Sequence, residues 1–221
     1  MVELWRYPVK SMAGESLDSC EVGEKGLDGD RRWALVDWTP NRAGKPLTIR
    51  EEERLMTYRA RLAAGVLEIV APTGEVRTLD EGMVSHLATE ASRPLTLREL
   101  EGANFDDSSV LLVNLATVAA FEAEAGMRVD RRRFRANFYV DGLEPSEEIT
   151  WVSGHVAVGG IELAVIKQCE RCVVITRDPD TTVATPALLR VLTETRETYM
   201  GVYCEVIRPG RVAVGDLVHV V

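Results

Sequence analysis

Apolar and polar positions along the 221-residue chain alternate over short runs broken by Gly, Pro, Asn and Asp, the pattern of short strands and tight turns. Arg32-Trp-Ala-Leu-Val-Asp37 and Pro46-Leu-Thr-Ile49 read as strands on either side of Thr-Pro-Asn-Arg-Ala-Gly. Val66–Val70 and Glu75–Leu79 flank Ala-Pro-Thr-Gly, a hairpin pattern. Ser109–Val113 is apolar enough for a buried strand. Leu115–Met127 has helical spacing at Val118 and Phe121, many alanines, and Gly126 near its end. Ile149–Ile166 predicts two strands around Gly159-Gly160. Thr185-Pro186 places a cap before a first-turn proline, with helix continuing through Leu192. The last eleven residues, Arg211–Val221, read as strand, Gly-Asp turn and strand. Many short strands and two modest helices predict a β-rich, barrel-like fold. Ser92-Arg-Pro94 is the natural boundary between a smaller segment, 1–93, and a second domain, 94–221.

Composition narrows the function classes. A hydrophobic fraction of 46% and a charged fraction of 28% are those of an ordinary water-soluble domain. No apolar run approaches the length of a transmembrane helix, and the first residues, Met-Val-Glu-Leu-Trp-Arg-Tyr-Pro, do not resemble a signal peptide. The expectation is a cytoplasmic protein with reduced thiols and no membrane association. The net charge of −9 argues against a nucleic-acid partner. Within that acidic chain, Asp130-Arg-Arg-Arg-Phe-Arg135 is a cationic knot, better matched to a small anion than to a polyanion.

The residues with most chemical content are Lys167-Gln-Cys-Glu-Arg-Cys172, followed by Val-Val-Ile-Thr176, which reads as a strand. Basic neighbours favour a thiolate, which is both a nucleophile and a soft metal ligand. Structural zinc needs four ligands, whereas Cys20 and Cys204 are isolated and His86, His155 and His219 are dispersed. A thioredoxin-like pair opens a helix after a strand, and this pair leads into an apparent strand. On the residues alone, the two thiols are equally well read as small buried hydrophobes. Cys204, in an apparent strand, reads as core. Trp5, Trp33, Trp38 and Trp151 read as core or rim anchors, and Asp178-Pro-Asp180 as a turn.

Other cationic clusters accompany the cysteine pair: Tyr7-Pro-Val-Lys-Ser11, Asp30-Arg-Arg-Trp33 and Phe134-Arg-Ala-Asn137. Arginine's planar fork suits phosphate. In order, Tyr7-Pro-Val-Lys-Ser11, Asp30-Arg31-x-Trp33, Leu47-Thr-Ile-Arg50, Phe134-Arg-x-Asn137, Cys169-x-Arg-Cys172 before Thr176-x-Asp-Pro-Asp180, and Gly210-x-Val-x-Val-Gly-Asp216 resemble the MOSC family with its N-terminal β-barrel segment. Within it the chain is most similar to amidoxime-reducing component proteins and their bacterial relatives.

The resemblance implies a β-barrel MOSC domain plus a smaller N-terminal segment, few helices, and a molybdenum cofactor (Mo-molybdopterin). It makes Cys172 the catalytic residue and metal ligand, with Cys169 an auxiliary neighbour. It assigns Lys10, Ser11, Arg31, Arg50, Ser108, Arg135 and Asn137 to the cofactor; Ser109 lies beside the aligned serine. The implied reaction is reductive oxygen removal from N-hydroxylated compounds. A separate electron-donor protein is implied too, since the chain has no haem, iron–sulfur or Gly-x-Gly-x-x-Gly pattern. The alternatives are a sulfur carrier using a Cys172 persulfide and a non-catalytic cofactor carrier. Two departures stand out. Ala136 replaces the family's proline, which should relax the local backbone and leave Arg135 usable. Residues 100–107 match the family poorly, and substrate specificity is expected there.

Overall fold

The computed structural model describes residues 1–100 and 105–221; the expectation that specificity resides at 100–107 falls partly on Glu101–Asn104, outside the described residues. Val110–Asn114 is the central strand. Val110 and Leu112 enter one hydrophobic core with Leu4, Phe138, Val156 and Ile161, while Leu111 and Val113 enter another with Phe121, Phe134, Leu188 and Leu192. Both faces are covered, which is why the run is uninterruptedly apolar. It belongs to a curled eight-stranded sheet in the order Val218–Val220, His155–Val158, Ile161–Glu170, Tyr199–Arg208, Val110–Asn114, Phe138–Val140, Glu3–Arg6, Glu15–Leu17.

Every pairing in this sheet is antiparallel except Val110–Asn114 with Phe138–Val140. A parallel pair needs a long crossover, and helix α2 (Leu115–Ala125) followed by a 3₁₀ turn at Arg131–Phe134 supplies it. Asn114 caps α2 through Ala116 N at 2.9 Å, and Gly126 ends it in the left-handed region. The longest pairing joins Ile161–Glu170 to Tyr199–Arg208. It has register shifts between Val165 and Lys167 and between Gln168 and Glu170. Such bulges bend a strand and re-aim its side chains, here at the end that carries the cysteine pair.

Three smaller sheets complete the β-rich fold: Leu95–Glu99 with Trp33–Asp37 and Lys45–Pro46; Arg59–Ala63 with Val66–Val70 and Val76–Thr78; and Gly210–Ala213 with Ser19–Gly23 and Gly26–Leu27. A further core of Val9, Met12, Leu35, Leu47, Ile69 and Leu87 fills the N-terminal part.

Several local expectations change. A third helix, α1 (Glu81–Ala91), packs Met83, Val84 and Leu87 inward; Asp80 caps it through Met83 N at 2.9 Å. Its sequence signature is diluted by Gly82 and by mostly polar exposed positions. Pro46–Ile49 is not a strand beyond Lys45–Pro46, because Glu51 accepts from Thr48 N at 3.0 Å and folds the chain into a turn. Val173–Thr176 forms a 3₁₀ turn in place of a strand: Ile175 N reaches Cys172 O at 3.2 Å, and the Thr176 hydroxyl reaches Val173 O at 2.7 Å. Only Ile175 and Thr176 of this β-branched run are buried, and the turn packs against α3 (Pro186–Arg196), so the run marks a packed turn, not extension. Gly210–Ala213 and Val218–Val220 do not pair with each other but join Ser19–Gly23 and His155–Val158. Trp38 is exposed, its indole N–H donating to Thr96 Oγ1 at 2.8 Å. Cys204 is core, as expected.

Gly201 tests how tightly the long strand pair is seated. Its φ is +78°, and an added Cβ would sit 2.6 Å from Leu112 O and 2.7 Å from a Val113 methyl. Gly201→Ala should destabilise the fold by roughly 2 to 4 kcal/mol, combining left-handed strain with overpacking. A urea unfolding midpoint unchanged from the parent would contradict this packing.

Candidate functional site

Three non-glycine residues lie in the left-handed region around one depression: Ser11 (φ 72°), Arg31 (φ 49°) and Arg135 (φ 53°). Such conformations cost about 1 to 2 kcal/mol each, so neighbours must hold them. The segment Tyr7–Ser11 leaves the strand Glu3–Arg6 and is fastened by Lys10 N to Trp33 O at 2.8 Å and Trp33 N to Pro8 O at 3.1 Å. Arg31 N is bonded to Tyr7 O at 2.7 Å. Arg135 ends the 3₁₀ turn Arg131–Phe134, which Asp130 caps through Arg132 N at 2.8 Å.

The organising group is the Asp30 carboxylate, only 2% exposed. Its Oδ1 accepts from Tyr7 N at 2.7 Å; its Oδ2 accepts from the Asn137 amide at 3.1 Å and from the Arg31 guanidinium. Arg31 also donates to Asn137 Oδ1 at 3.3 Å and to Arg135 O at 3.1 Å. Burial works against the Arg31 charge, but Asp30 and Tyr7 outweigh it and raise the pKa above the ordinary arginine value. The Tyr7 ring lies between two guanidinium groups, with Arg31 at 4.9 Å and Arg135 at 4.6 Å from its centroid. Arg135 differs from Arg31: it makes no ion pair among the described residues. Burial, with Arg31 adding repulsion, pushes it down to about 10.

At the far side, the bulged strand delivers Cys169 into the core, 1% exposed, while Cys172 is half-buried. The buried-hydrophobe reading therefore fits Cys169 alone. Arg50 Nη2 lies 3.5 Å from the Cys172 sulfur. Burial lowers the Arg50 pKa, and the sulfur and Asp106 more than restore it. Arg171, 8% exposed, ties the sulfur-bearing turn down. It donates from Nε to Met200 O at 2.8 Å and from Nη1 to Phe134 O at 2.9 Å.

Lys10, Ser11, Arg31, Arg50, Ser108, Arg135, Asn137 and Cys172 all line one cavity of about 380 Å³. Within it, Asn137 is engaged by the protein. Its Oδ1 accepts from Leu111 N and Arg31, and its Nδ2 donates to Trp5 O and Asp30. That exhausts an amide's usual capacity, so Asn137 positions Arg31 and has no group left for a ligand. Ser109 does not line the cavity; its hydroxyl donates to Cys204 O at 3.4 Å. Ala136 contributes a backbone N–H that proline would lack, and it reaches Tyr139 Oη at 3.4 Å.

Four further residues contribute: Asp106 and Asp107, which have no role in the sequence reading, and Arg133 and Arg171, which it placed in cationic segments without partners. Asp106 pairs with Lys10 and, at 3.5 Å, with Arg50; Asp107 pairs with Lys167 at 2.6 Å. Arg133, which donates to Thr176 O at 2.9 Å and Asp178 at 3.1 Å, and Arg171 brace the floor. The Asp178 carboxylate is thus used in its own turn and on Arg133. His86 and His155 pair with Glu90 and Glu162, and neither lines the cavity. Among the described residues no three His, Cys, Asp or Glu side chains gather to hold a metal ion. No helix of the described residues is long and apolar enough to cross a membrane.

The MOSC domain profile matches residues 98–219, and the MOSC N-terminal beta barrel domain profile matches residues 1–110. Mitochondrial amidoxime reducing component 2 of Bos taurus is 28% identical over 81% of this chain and 66% of its own length. Mitochondrial amidoxime-reducing component 1 of Homo sapiens is 25% identical over 99% of this chain and 82% of its own. Molybdenum cofactor sulfurase of Danio rerio is 26% identical over 92% of this chain and 31% of its own length. The crystal structure of the YUAD protein from Bacillus subtilis superposes with a TM-score of 0.51 at 15% identity, covering 98% and 91% of the two chains, and shares the fold. Profiles that span both halves of the sequence, over a fold and motif set of the same kind, make this chain a member of the MOSC family.

Proposed function

We propose that the cavity binds a molybdenum cofactor through its phosphate and one protein thiolate, and that the protein reduces N-hydroxylated compounds. The observation that carries this reading is the pairing of a half-buried sulfur, Cys172, with a cationic cradle inside one cavity. Arg135 has no ion pair among the described residues, and Arg171 Nη2 is buried without a hydrogen-bond partner. Buried cations of this kind call for an anion. The cavity volume of about 380 Å³ suits a pterin-sized ligand. The donor set fits the group: ammonium and guanidinium groups for a phosphate, a thiolate for a soft metal that brings its own sulfur ligands.

In this reading Lys10, Arg31 and Arg135 hold the phosphate, with Ser11 and Ser108 as hydroxyl donors, and Cys172 is the ligand to molybdenum. Arg50, with Nη2 3.5 Å from the Cys172 sulfur, holds that sulfur in place by a hydrogen bond. Arg171 and Arg133 fix the turn that aims the sulfur, and Asp30 and Asn137 fix Arg31. The cofactor, when bound, supplies the two-electron chemistry, and the protein binds and orients it. The net reaction takes two electrons and two protons, removes oxygen from the N–OH group, and releases water. A separate electron-donor protein supplies the electrons. Four free cysteines support a reducing compartment such as the cytoplasm. A persulfide carrier would use the same Cys172 but needs only a reachable sulfur. The strained backbone at Ser11, Arg31 and Arg135 supports a dedicated anion site as well.

Cys172→Ser, made in a cofactor-competent host, should lower reduction of a model amidoxime by about 100-fold or more and reduce bound molybdenum. Parent-like turnover would refute the ligand assignment, and turnover absent from the parent with cofactor still bound would leave a carrier. Arg135→Gln removes a half-buried charge that makes no ion pair among the described residues. It should raise the stability of cofactor-free protein by roughly 1 kcal/mol while abolishing stabilisation by added phosphate. Thermal melts of both proteins with and without phosphate check the two signs.

A further inference from the structure

The phosphate reading leaves one acidic side chain in the middle of the cations. Asp106 receives a hydrogen bond from Lys10 Nζ on one oxygen and lies 3.5 Å from Arg50 Nη2 on the other. Lys10 is largely enclosed, its side chain 11% exposed, whereas Asp106 is 54% exposed. One partner is fixed in the cavity and the other stands at its mouth with water beside it. We propose that Asp106 is an internal counter-anion that a ligand's phosphate must displace from Lys10 and Arg50, and that it thereby sets the charge a ligand needs in order to bind. The proposal rests on the cavity being a phosphate site.

The argument is one of exchange. Burial lowers the Lys10 pKa, and the Asp106 carboxylate partly offsets this, so Lys10 is not left as a bare cation before a ligand arrives. An incoming anion gains Lys10 only by displacing the carboxylate that Lys10 and Arg50 already hold. That cost is the same for every ligand. A monoanion replaces one charge by one and recovers little more than it removes. A dianion brings a second charge to Arg135, which makes no ion pair among the described residues, and the exchange becomes favourable. Asp107 does not share this role: its carboxylate pairs at 2.6 Å with Lys167, whose side chain is 53% exposed at the rim. Adjacent carboxylates of one segment therefore differ in function because they meet cations at different depths. When Asp106 swings out, Arg50 keeps the Cys172 sulfur as its partner, so the exchange also turns Arg50 from the acid toward the metal ligand.

The test titrates inorganic phosphate at pH 8, and separately acetate, into the full chain prepared without cofactor, by calorimetry. The parent is compared with Asp106→Asn, Asp106→Ser, Asp107→Asn and Lys10→Gln, with thermal melts to show that each variant is folded. Both Asp106 variants should bind phosphate about tenfold more tightly and make acetate binding measurable, since removing a competing charge next to the site is expected to move affinity by at least that factor. Asp107→Asn should shift phosphate affinity less than about twofold, as expected for a rim pair, and Lys10→Gln should weaken it. If either folded Asp106 variant binds phosphate no better than the parent while Lys10→Gln still weakens binding, the competitor role is wrong and the phosphate site stands. If phosphate affinity is indifferent to Lys10→Gln, the phosphate site itself is wrong and the competitor role falls with it.

Discussion

A single buried carboxylate, Asp30, decides where the two central arginines go. An aspartate this enclosed is tolerated only when each oxygen is satisfied, and here a backbone N–H, an amide and a guanidinium all converge on it. The consequence is geometric. Tyr7, Arg31 and Asn137, which lie far apart in the chain, share one hydrogen-bonded frame, and Arg31 in turn holds the carbonyl of Arg135. The parallel strand pair Val110–Asn114 and Phe138–Val140 keeps that frame in register, because Asn137 and Leu111 bond each other in both directions. Local backbone strain at Ser11, Arg31 and Arg135 is then imposed by the packed scaffold, and the charged heads are arranged before any ligand arrives.

The sulfur arrives from the opposite direction by a different device. The last two of three register shifts in Ile161–Glu170 turn the strand end, Cys169 anchors in the core, and a 3₁₀ turn starts immediately after Cys172. Arg171 crosses beneath, holding Phe134 O and Met200 O. Phe134 precedes Arg135, so one guanidinium couples the thiol's turn to the turn that bears the least compensated cation. Movement of either turn would disturb both ends of the site.

The legibility of the sequence followed the chemistry of each segment. Val110–Asn114 was readable because a strand buried on both faces has to be apolar throughout. The cationic segments were conspicuous because arginines and lysines cluster near a cysteine in an acidic chain, and the fold brings several of them to one cavity. The same logic failed at Val173–Thr176, where a β-branched run forms a turn with only Ile175 and Thr176 buried, and at Pro46–Ile49, where Glu51 closes a turn that no local run announces. Helix α1 was hidden by Gly82 and a mainly polar surface. Asn137's partners were not legible, since they include Asp30, over a hundred positions earlier. The partners of Asp106, Arg133 and Arg171 were not legible for the same reason: each acts through a group that only the fold brings near.

The balance of charge follows from these constraints. The chain carries −9 overall, yet its cavity concentrates guanidinium and ammonium groups, some of them nine-tenths or more buried. Were every one paired internally, as Arg133 is with Asp178, the cavity would be stable and indifferent to anions. Were none paired, mutual repulsion and lost hydration would oppose folding. The structure lies between these limits. Arg31 has a permanent partner in Asp30, Lys10 and Arg50 have an exposed and displaceable one in Asp106, and Arg135 relies on the face of Tyr7. This gradation, from permanent to exchangeable to unpaired, is what the proposed selection of a doubly charged ligand would require of a cavity that must also stay folded when empty.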